Sequence, residues 1–531
     1  MMTSLFRTIQ RKFIIIGFAI TALTITSCKK VLDPDPNDVI LDNEFLKDFW
    51  DADFMIRGAY QALQPIVEYN FILGELRADW VKPGPGADND MLELANHTVT
   101  DNNRYTNWKV YYDLINRANY ALENVPRVPL DANFFSEFER NMFIGEARFL
   151  RSWAYFNLVM NFDSVPLVLK AVDDISKVPY LGVTKQQVIL DFIEKDLDTA
   201  FQLANNGIIN VPNTFEVGKR PSEETYRLRA TKRTVCALQA EVYLWRNKYS
   251  EAAAVCNTFT TVGGGAPGAG TWFNLFVGTS NTILFNGEMF FVPFDYLGRQ
   301  VNPLMKFTSN DPASGGQYMV APSDTAIKTY NPNYPNSIGT SNTTDEINRG
   351  FGRSYAGSAP YYNRVASSPV IWKFIGLGTV APGTANVVPN VRTPYRSDAR
   401  IHIYRFADVY LLWAEALNRL GDKATAIQRI NAVRSAGGTG MPNATVTTNS
   451  TTEQIEDYIL RERGLEFGFE GKRWYDLMRI AGRRGPQYLV DRVKKRIPAS
   501  EHARIQTSLS NPKNWYLPFN AEEKRLNPNL K

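Results

Sequence analysis

Apolar residues recur at helical spacing through two long stretches of the chain, with a stretch lacking that period between them. In the first stretch, Phe45, Phe49, Phe54, Ile56, Tyr60 and Leu63 alternate with polar residues until Pro65. A second helix is expected over 104–124, stopping before Pro126. A third, over 137–160, carries Phe143, Ala147, Leu150, Ala154, Leu158 and Val159 at periods of three and four. A fourth runs from Thr184, as N-cap, to about residue 205.

Residues 230–259 predict a helical hairpin. Small Ala237 and Ala240 alternate with large Leu238, Val242, Tyr243 and Leu244, and the polar turn Arg246-Asn247-Lys248 leads into a second helix from Tyr249. The alternation lets two antiparallel helices nest, and it resembles a tetratricopeptide unit. A similar hairpin follows Arg405: Phe406, Val409, Tyr410, Trp413, Leu417 and Leu420 form one stripe, Gly421 closes the helix and Asp422 caps the next. Between the hairpins, from Val262 to about Ala399, Gly, Pro, Asn, Ser and Thr dominate, with short β-like pieces at 288–294 and 370–374. Gly263-x-Gly265-x-x-Gly268 spells a nucleotide loop, but it follows a helix and holds Pro267, so it reads as a plain loop. A loop-rich region this long is more often functional than not, and it carries many aromatic residues.

The most chemical-looking stretch is 453–479, EQIEDYILRERGLEFGFEGKRWYDLMR. Glu462, Glu466 and Glu470 recur every four residues among Arg461, Arg463, Arg473 and Arg479, with Gly464, Gly468 and Gly471 beside them. At helical spacing the carboxylates share a face. Each interior glycine costs about 1 kcal/mol relative to alanine, so such a helix must recover stability in tertiary contact. Carboxylates this close suit glycoside hydrolysis in spacing. The surrounding arginines hold them ionised, however, which fits a structural pair better than a proton donor.

Composition narrows the classes. Hydrophobic content of 44% and charged content of 21% are those of a globular protein. Net charge is +5 and no Lys/Arg-rich run is present, so nucleic acid is not an expected partner. Arg7, Arg11 and Lys12 precede an apolar run from Phe13 to about Thr26, a secretory signal too short to span a membrane well. Ile25-Thr26-Ser27-Cys28 resembles a relaxed bacterial lipobox, in which Cys28 is acylated and becomes the mature N-terminus. Residues 29–43, with two prolines, read as an extended tether. Only Cys236 and Cys256 remain; the expectation is two buried thiols, with a mutual pairing as the alternative. His97, His402 and His502 are far apart, which disfavours a metal site or a Ser-His or Cys-His catalytic arrangement.

The run Arg461-Glu462-Arg463-Gly464-x-Glu466-Phe467, followed by Glu470-Gly471-x-Arg473-x-x-Asp476-Leu477-x-Arg479, resembles the C-terminal signature of the SusD/RagB family. So do Ala407-Asp408-Val409-Tyr410-Leu411-x-x-Ala414-Glu415-Ala416, Ile430-Asn431-x-Val433-Arg434, the lipobox with LDPDP after it, and the terminal LPFNAEEKRLNPNLK. The resemblance implies a mainly helical SusD-like fold, with tetratricopeptide-like hairpins and a loop-rich ligand-facing side carrying short β pieces. The expected organisation is a signal peptide over 1–27, a tether over 28–43, and one unit over 44–531. That unit divides into an N-terminal helical part at 44–260, a loop-rich part at 261–400 and a C-terminal helical part at 401–531. The resemblance further implies a non-enzymatic lipoprotein at the outer surface of the outer membrane of a Bacteroidetes-type bacterium. Such a protein captures oligosaccharide and delivers it to a SusC-like TonB-dependent transporter; no cofactor is needed, and a calcium ion held at a loop is left open. The alternatives are a helical-repeat scaffold lipoprotein that binds protein or peptide and, third, a surface glycoside hydrolase.

Sugar rings stack on aromatic planes while Asn, Asp and Arg read the hydroxyls. By analogy with the family, ligand contacts are expected at Arg77, Asp79 and Trp80, and in the loop-rich part at Trp272, Tyr296 and Trp372. Glu462 and Glu466 are expected to pair with arginines such as Arg405, Arg434 or Arg473 as an internal clamp. Gly464 and Gly468 would let the 405–434 hairpin lie close.

Overall fold

The computed structural model describes residues 45–132, 134–173, 178–205, 229–267, 275–276, 287–294, 300–312, 315–330, 369–375, 399–436 and 442–530. The N-terminal part comprises α1 (Phe49–Gln61), α2 (Ile66–Phe71) running into a π-helical turn at Ile72–Leu76, α3 (Asn89–Asn96), α4 (Lys109–Asn124), α5 (Glu137–Phe162), α6 (Gln186–Leu203), α7 (Lys232–Trp245) and α8 (Tyr249–Thr261). Short α9 (Leu304–Thr308) and α10 (Asp324–Tyr330) lie in the loop-rich part. The C-terminal part holds α11 (Phe406–Arg419), α12 (Lys423–Ala436), α13 (Thr452–Phe467), α14 (Arg473–Arg484), α15 (Pro486–Lys494), α16 (His502–Leu509) and α17 (Ala521–Leu526). The fold is mainly helical, and Asp48–Lys531 forms one compact unit.

The central post is α5. Ser136 and Glu139 close a capping box at its start, and from Met142 to Phe162 almost every side chain is buried, as expected of a helix covered on all sides. α4 and α6 pack against it, α7 packs on α6, and the α7–α8 hairpin meets the α11–α12 hairpin through α8 and α11. The hairpins turn where the chain supplies left-handed backbone, at Asn247 (φ 58°) and Gly421 (φ 89°). Cys236 and Cys256 are both buried, free thiols; burial pushes the Cys236 pKa up to about 12.

Two short antiparallel ladders tie the loop-rich part to this scaffold. β1 (Val81–Pro83) pairs with β3 (Val320–Pro322), with Lys82 opposite Ala321. β2 (Glu288–Val292), buried along its whole length, pairs with β4 (Ile401–Arg405) across an irregular register from Glu288↔Arg405 to Val292↔Ile401.

The structure corrects several expected boundaries. Residues 104–106 form a separate 3-10 turn before α4, and Lys185 rather than Thr184 caps α6. Instead of a strand, 370–374 carries a 3-10 turn at Trp372–Phe374. The terminal segment is more regular than an irregular tail: it holds a 3-10 turn at Pro512–Trp515 and then α17. The 453–479 stretch is two helices rather than one. Gly468 leaves the helical region at ψ 129°, and Phe469 (φ 72°) and Gly471 (φ 80°) adopt left-handed backbone, so Glu470 lies in a turn and does not continue the face of Glu462 and Glu466.

Candidate functional site

The turn at 468–472 is the meeting point of three parts of the chain. The π-helical turn crosses it in backbone contact: a Cβ on Gly74 would sit 1.9 Å from the Gly471 carbonyl oxygen. Glu75 reaches back under this crossing and accepts hydrogen bonds from the backbone N–H of Gly471 (2.8 Å) and Lys472 (3.2 Å). Burial pushes its carboxyl up to about 8, so at neutral pH it is mostly protonated. From the loop-rich part, Lys373 donates to the Gly468 carbonyl (2.7 Å) and to Glu470 (2.8 Å). From β4, Arg405 bonds both Glu466 (2.5 Å) and Glu470 (2.9 Å) and lies 4.6 Å over the Phe467 ring.

This is an extended buried ionic chain. Glu462 pairs with Arg434 at 2.6 Å, Arg463 with Asp476 at 2.7 Å, and Arg479 with both Glu415 and Asp476. Burial works against the charge on Glu470, but Arg405 and Lys373 outweigh it and hold the carboxyl down to about 2. Burial lowers Lys373 to about 8 in spite of its partner. These are charge-assisted bonds in a desolvated setting, where removing one partner strands the other.

Gly464 and Gly468 do not serve the hairpin. A Cβ on Gly464 would lie 2.5 Å from Trp80 Cζ2, and one on Gly468 would lie 2.9 Å from both Trp80 Cζ3 and the Tyr330 hydroxyl. The glycines make room for an indole, not for the helices at 405–434. Likewise Arg473 takes Asp79 as its carboxylate, through Nε at 2.7 Å and Nη2 at 2.9 Å.

The expectation of ligand contacts at Arg77, Asp79 and Trp80 is therefore corrected by their surroundings. They are 2%, 1% and 2% exposed. Arg77 donates to Leu73 O and to Asn161 Oδ1 and lies 4.9 Å from the Trp474 ring. Trp80 packs against Tyr330 and Phe469. All three are sockets for the C-terminal signature. Of the other expected contacts, Trp372 opens a turn whose next two residues, Lys373 and Phe374, are buried, while Trp272 and Tyr296 lie outside the described residues.

Sequence reasoning missed a second ionic cluster. Arg400 bonds both oxygens of Glu288 (2.8 and 2.9 Å), and His402 Nε2 meets Glu288 at 2.9 Å, which fastens β2 to β4. Burial lowers the His402 pKa, so the neutral ring donates through Nε2 to the carboxylate. Nothing local marks these residues, because their partners are more than a hundred positions apart.

Between these clusters lies a partly open space of about 70 Å³, lined in part by Asn70, Asn157, Glu241, His402 and Tyr404. It suits a few waters, being far below the roughly 300 Å³ at which ligand pockets begin. Among the described residues no group of three or more His, Cys, Asp or Glu is placed to hold a metal ion. Among the described residues the site is a buried ionic support.

Comparison with known proteins bears on both halves of the chain. A family model described as the SusD family matches residues 314–531, and one described as "Starch-binding associating with outer membrane" matches residues 54–244. The chain is 28% identical over 510 residues to SusD-like protein P38 of Formosa agariphila, covering 89% of this chain and 92% of that protein. It is 24% identical over 496 residues to SusD-like protein P2 of the same organism, covering 88% and 90%. Among solved structures, a SusD superfamily protein from Bacteroides vulgatus aligns with a TM-score of 0.68 at 20% identity, over 92% of this chain and 99% of that one. A laminarin-binding SusD-like protein aligns with a TM-score of 0.62 at 20% identity, over 90% and 97%.

Proposed function

The chain belongs to the SusD/RagB family, and from that premise we propose that it is a lipid-anchored cell-surface protein that captures oligosaccharide and passes it to a SusC-like TonB-dependent transporter. The observation that carries this reading is the match of two family models, one to residues 54–244 of the N-terminal helical part and one to residues 314–531, the former described as starch-binding and outer-membrane-associated. The laminarin-binding neighbour supports a glycan as cargo.

The protein acts by binding alone. The acids of the signature that would serve a hydrolase are buried against cations: Glu462 on Arg434, Glu466 on Arg405, and Glu470 on Arg405 and Lys373. A carboxyl held at about 2, as Glu470 is, donates no proton to a leaving group at neutral pH. Recognition falls to aromatic residues of the loop-rich part, Trp272, Tyr296 and Trp372, whose ring faces accept sugar C–H surfaces.

Affinity electrophoresis against a polysaccharide panel, with reducing ends assayed in the same samples, tests this reading. Retardation without new reducing ends is the expected result. Hydrolysis that disappears in Glu462→Gln or Glu466→Gln would overturn it, and selective binding of peptides would replace the cargo. Copurification of a barrel protein with the native lipoprotein tests the transporter pairing.

A further inference from the structure

The beginnings of α1 and α5 carry an unusual surface. Phe49, Phe135 and Phe143 form a buried aromatic nucleus, with ring centroids 5.7–6.0 Å apart. Around it the neighbouring aromatics turn outward: Phe54, Phe134 and Phe138 are 55%, 48% and 58% exposed. Trp50 is partly exposed, with its ring 6.4 Å from Phe54, and Leu130 is exposed as well. Helix geometry explains the split on α1. Phe49 and Ile56, seven residues apart, face the core, whereas Trp50 and Phe54 share a different face, four residues apart. Exposed aromatics gathered in this way mark an interaction surface.

The chain itself indicates what the surface meets. Asp48 caps α1, so the residues that lead from Cys28 to Lys47 end at the patch. Only the short stretch from Cys28 to Lys47 separates an anchor at Cys28 from the patch. An acyl group on Cys28 therefore holds Trp50 and Phe54 within reach of the bilayer surface. Trp and Phe rings favour the boundary between headgroups and acyl chains. The surrounding charges lean acidic, with Asp48, Asp51, Asp131, Glu137 and Glu139 against Lys47, Arg57 and Arg140, so attraction to anionic lipid is not what selects the surface.

We propose that Trp50, Phe54, Phe134 and Phe138 form a membrane seat, an aromatic surface that rests in the headgroup region of the membrane holding the anchor. The seat rests on the reading of Cys28 as acylated. It adds a second, apolar contact and fixes which end of the molecule faces the lipid.

The test uses the full mature chain carrying Cys28→Ser, floated with vesicles of phosphatidylethanolamine and phosphatidylglycerol. The chain floats without its acyl group, and flotation persists at about 0.5 M salt, where charge attraction is screened. The pair Phe54→Ser and Phe138→Ser lowers partitioning about tenfold with an unchanged melting temperature. A control pair at other exposed apolar positions, Val183→Ser and Val188→Ser, leaves it unaltered. No flotation, equal losses in both pairs, or intact flotation with loss of a copurifying membrane protein would overturn the seat. Mass spectrometry of the native protein reads the anchor separately. Acylated Cys28 with no flotation removes the seat alone, and flotation with unmodified Cys28 removes the anchor alone.

Discussion

Arg405 is held between two carboxylates, Glu466 and Glu470, and its burial makes each of them matter. Removing one in Glu466→Ala leaves charge uncompensated in a desolvated site, at a cost of about 3–5 kcal/mol. Thermal unfolding measures that loss. Glu470 gives the interaction a pH signature. Its folded pKa of about 2 lies below the ordinary carboxylate value, so its contribution is complete above pH 4.5 and fades as pH falls toward 2. The stability difference between wild type and Glu470→Gln should shrink across that window in denaturant titrations; a constant difference would contradict the ionic assignment. Glu75 runs the other way. Because its folded pKa is raised to about 8, its contribution is present at low pH and is lost as pH rises from 4.5 to 8. At Gly464 the constraint is space. Gly464→Ala places a Cβ against the Trp80 indole and should cost on the order of 1–3 kcal/mol. Trp80→Leu in the same chain should recover part of it, a coupling that a double-mutant cycle reads directly.

At the scale of elements, local and distant signals separate cleanly. The two hairpins were legible in the sequence because small–large alternation, the Arg246-Asn247-Lys248 turn and Gly421 all act within a few residues. The break at 468–472 was not, because reading Glu462, Glu466 and Glu470 by spacing assumes the very helix that Gly468 ends. Arg77, Asp79 and Trp80 misled for a related reason. Polar and aromatic residues near a helix end resemble a recognition loop, and the Arg473 that buries Asp79 is 394 positions away. Phe54 showed the converse: counted into a core stripe, it lies off the face of Phe49 and Ile56 and is exposed, while Asp53 is buried against Arg229 and Arg57. The element most open to test is the segment at 369–375. Lys373 fastens it to the turn, so Lys373→Met should raise amide hydrogen exchange there while leaving α5 protected. Uniform acceleration across both would assign Lys373 to global stability instead.

Over the whole molecule, the helical scaffold and the site divide the work. The signature that identifies the family is an internal clamp, joining α13 and α14 through buried ion pairs to β4, to Asp79 beyond the π-helical turn and to the loop-rich part. Family and fold were legible because that clamp uses many charged residues at fixed local spacings. The contact surface was less so, since stacking on sugar requires only an aromatic ring at a suitable place on a loop, and no spacing rule specifies that place. The buried ion pairs hold the protein up, and recognition of cargo is proposed for other residues, the aromatics of the loop-rich part. Measuring melting temperature and glycan affinity together on Glu466→Ala and Trp372→Ala tests that separation most directly. Glu466→Ala should melt well below wild type yet, while folded, bind glycan with unchanged affinity. Trp372→Ala should melt as wild type does and bind about tenfold more weakly, a loss of ~1.4 kcal/mol. Loss of binding in Glu466→Ala with an unchanged melting temperature would contradict the account.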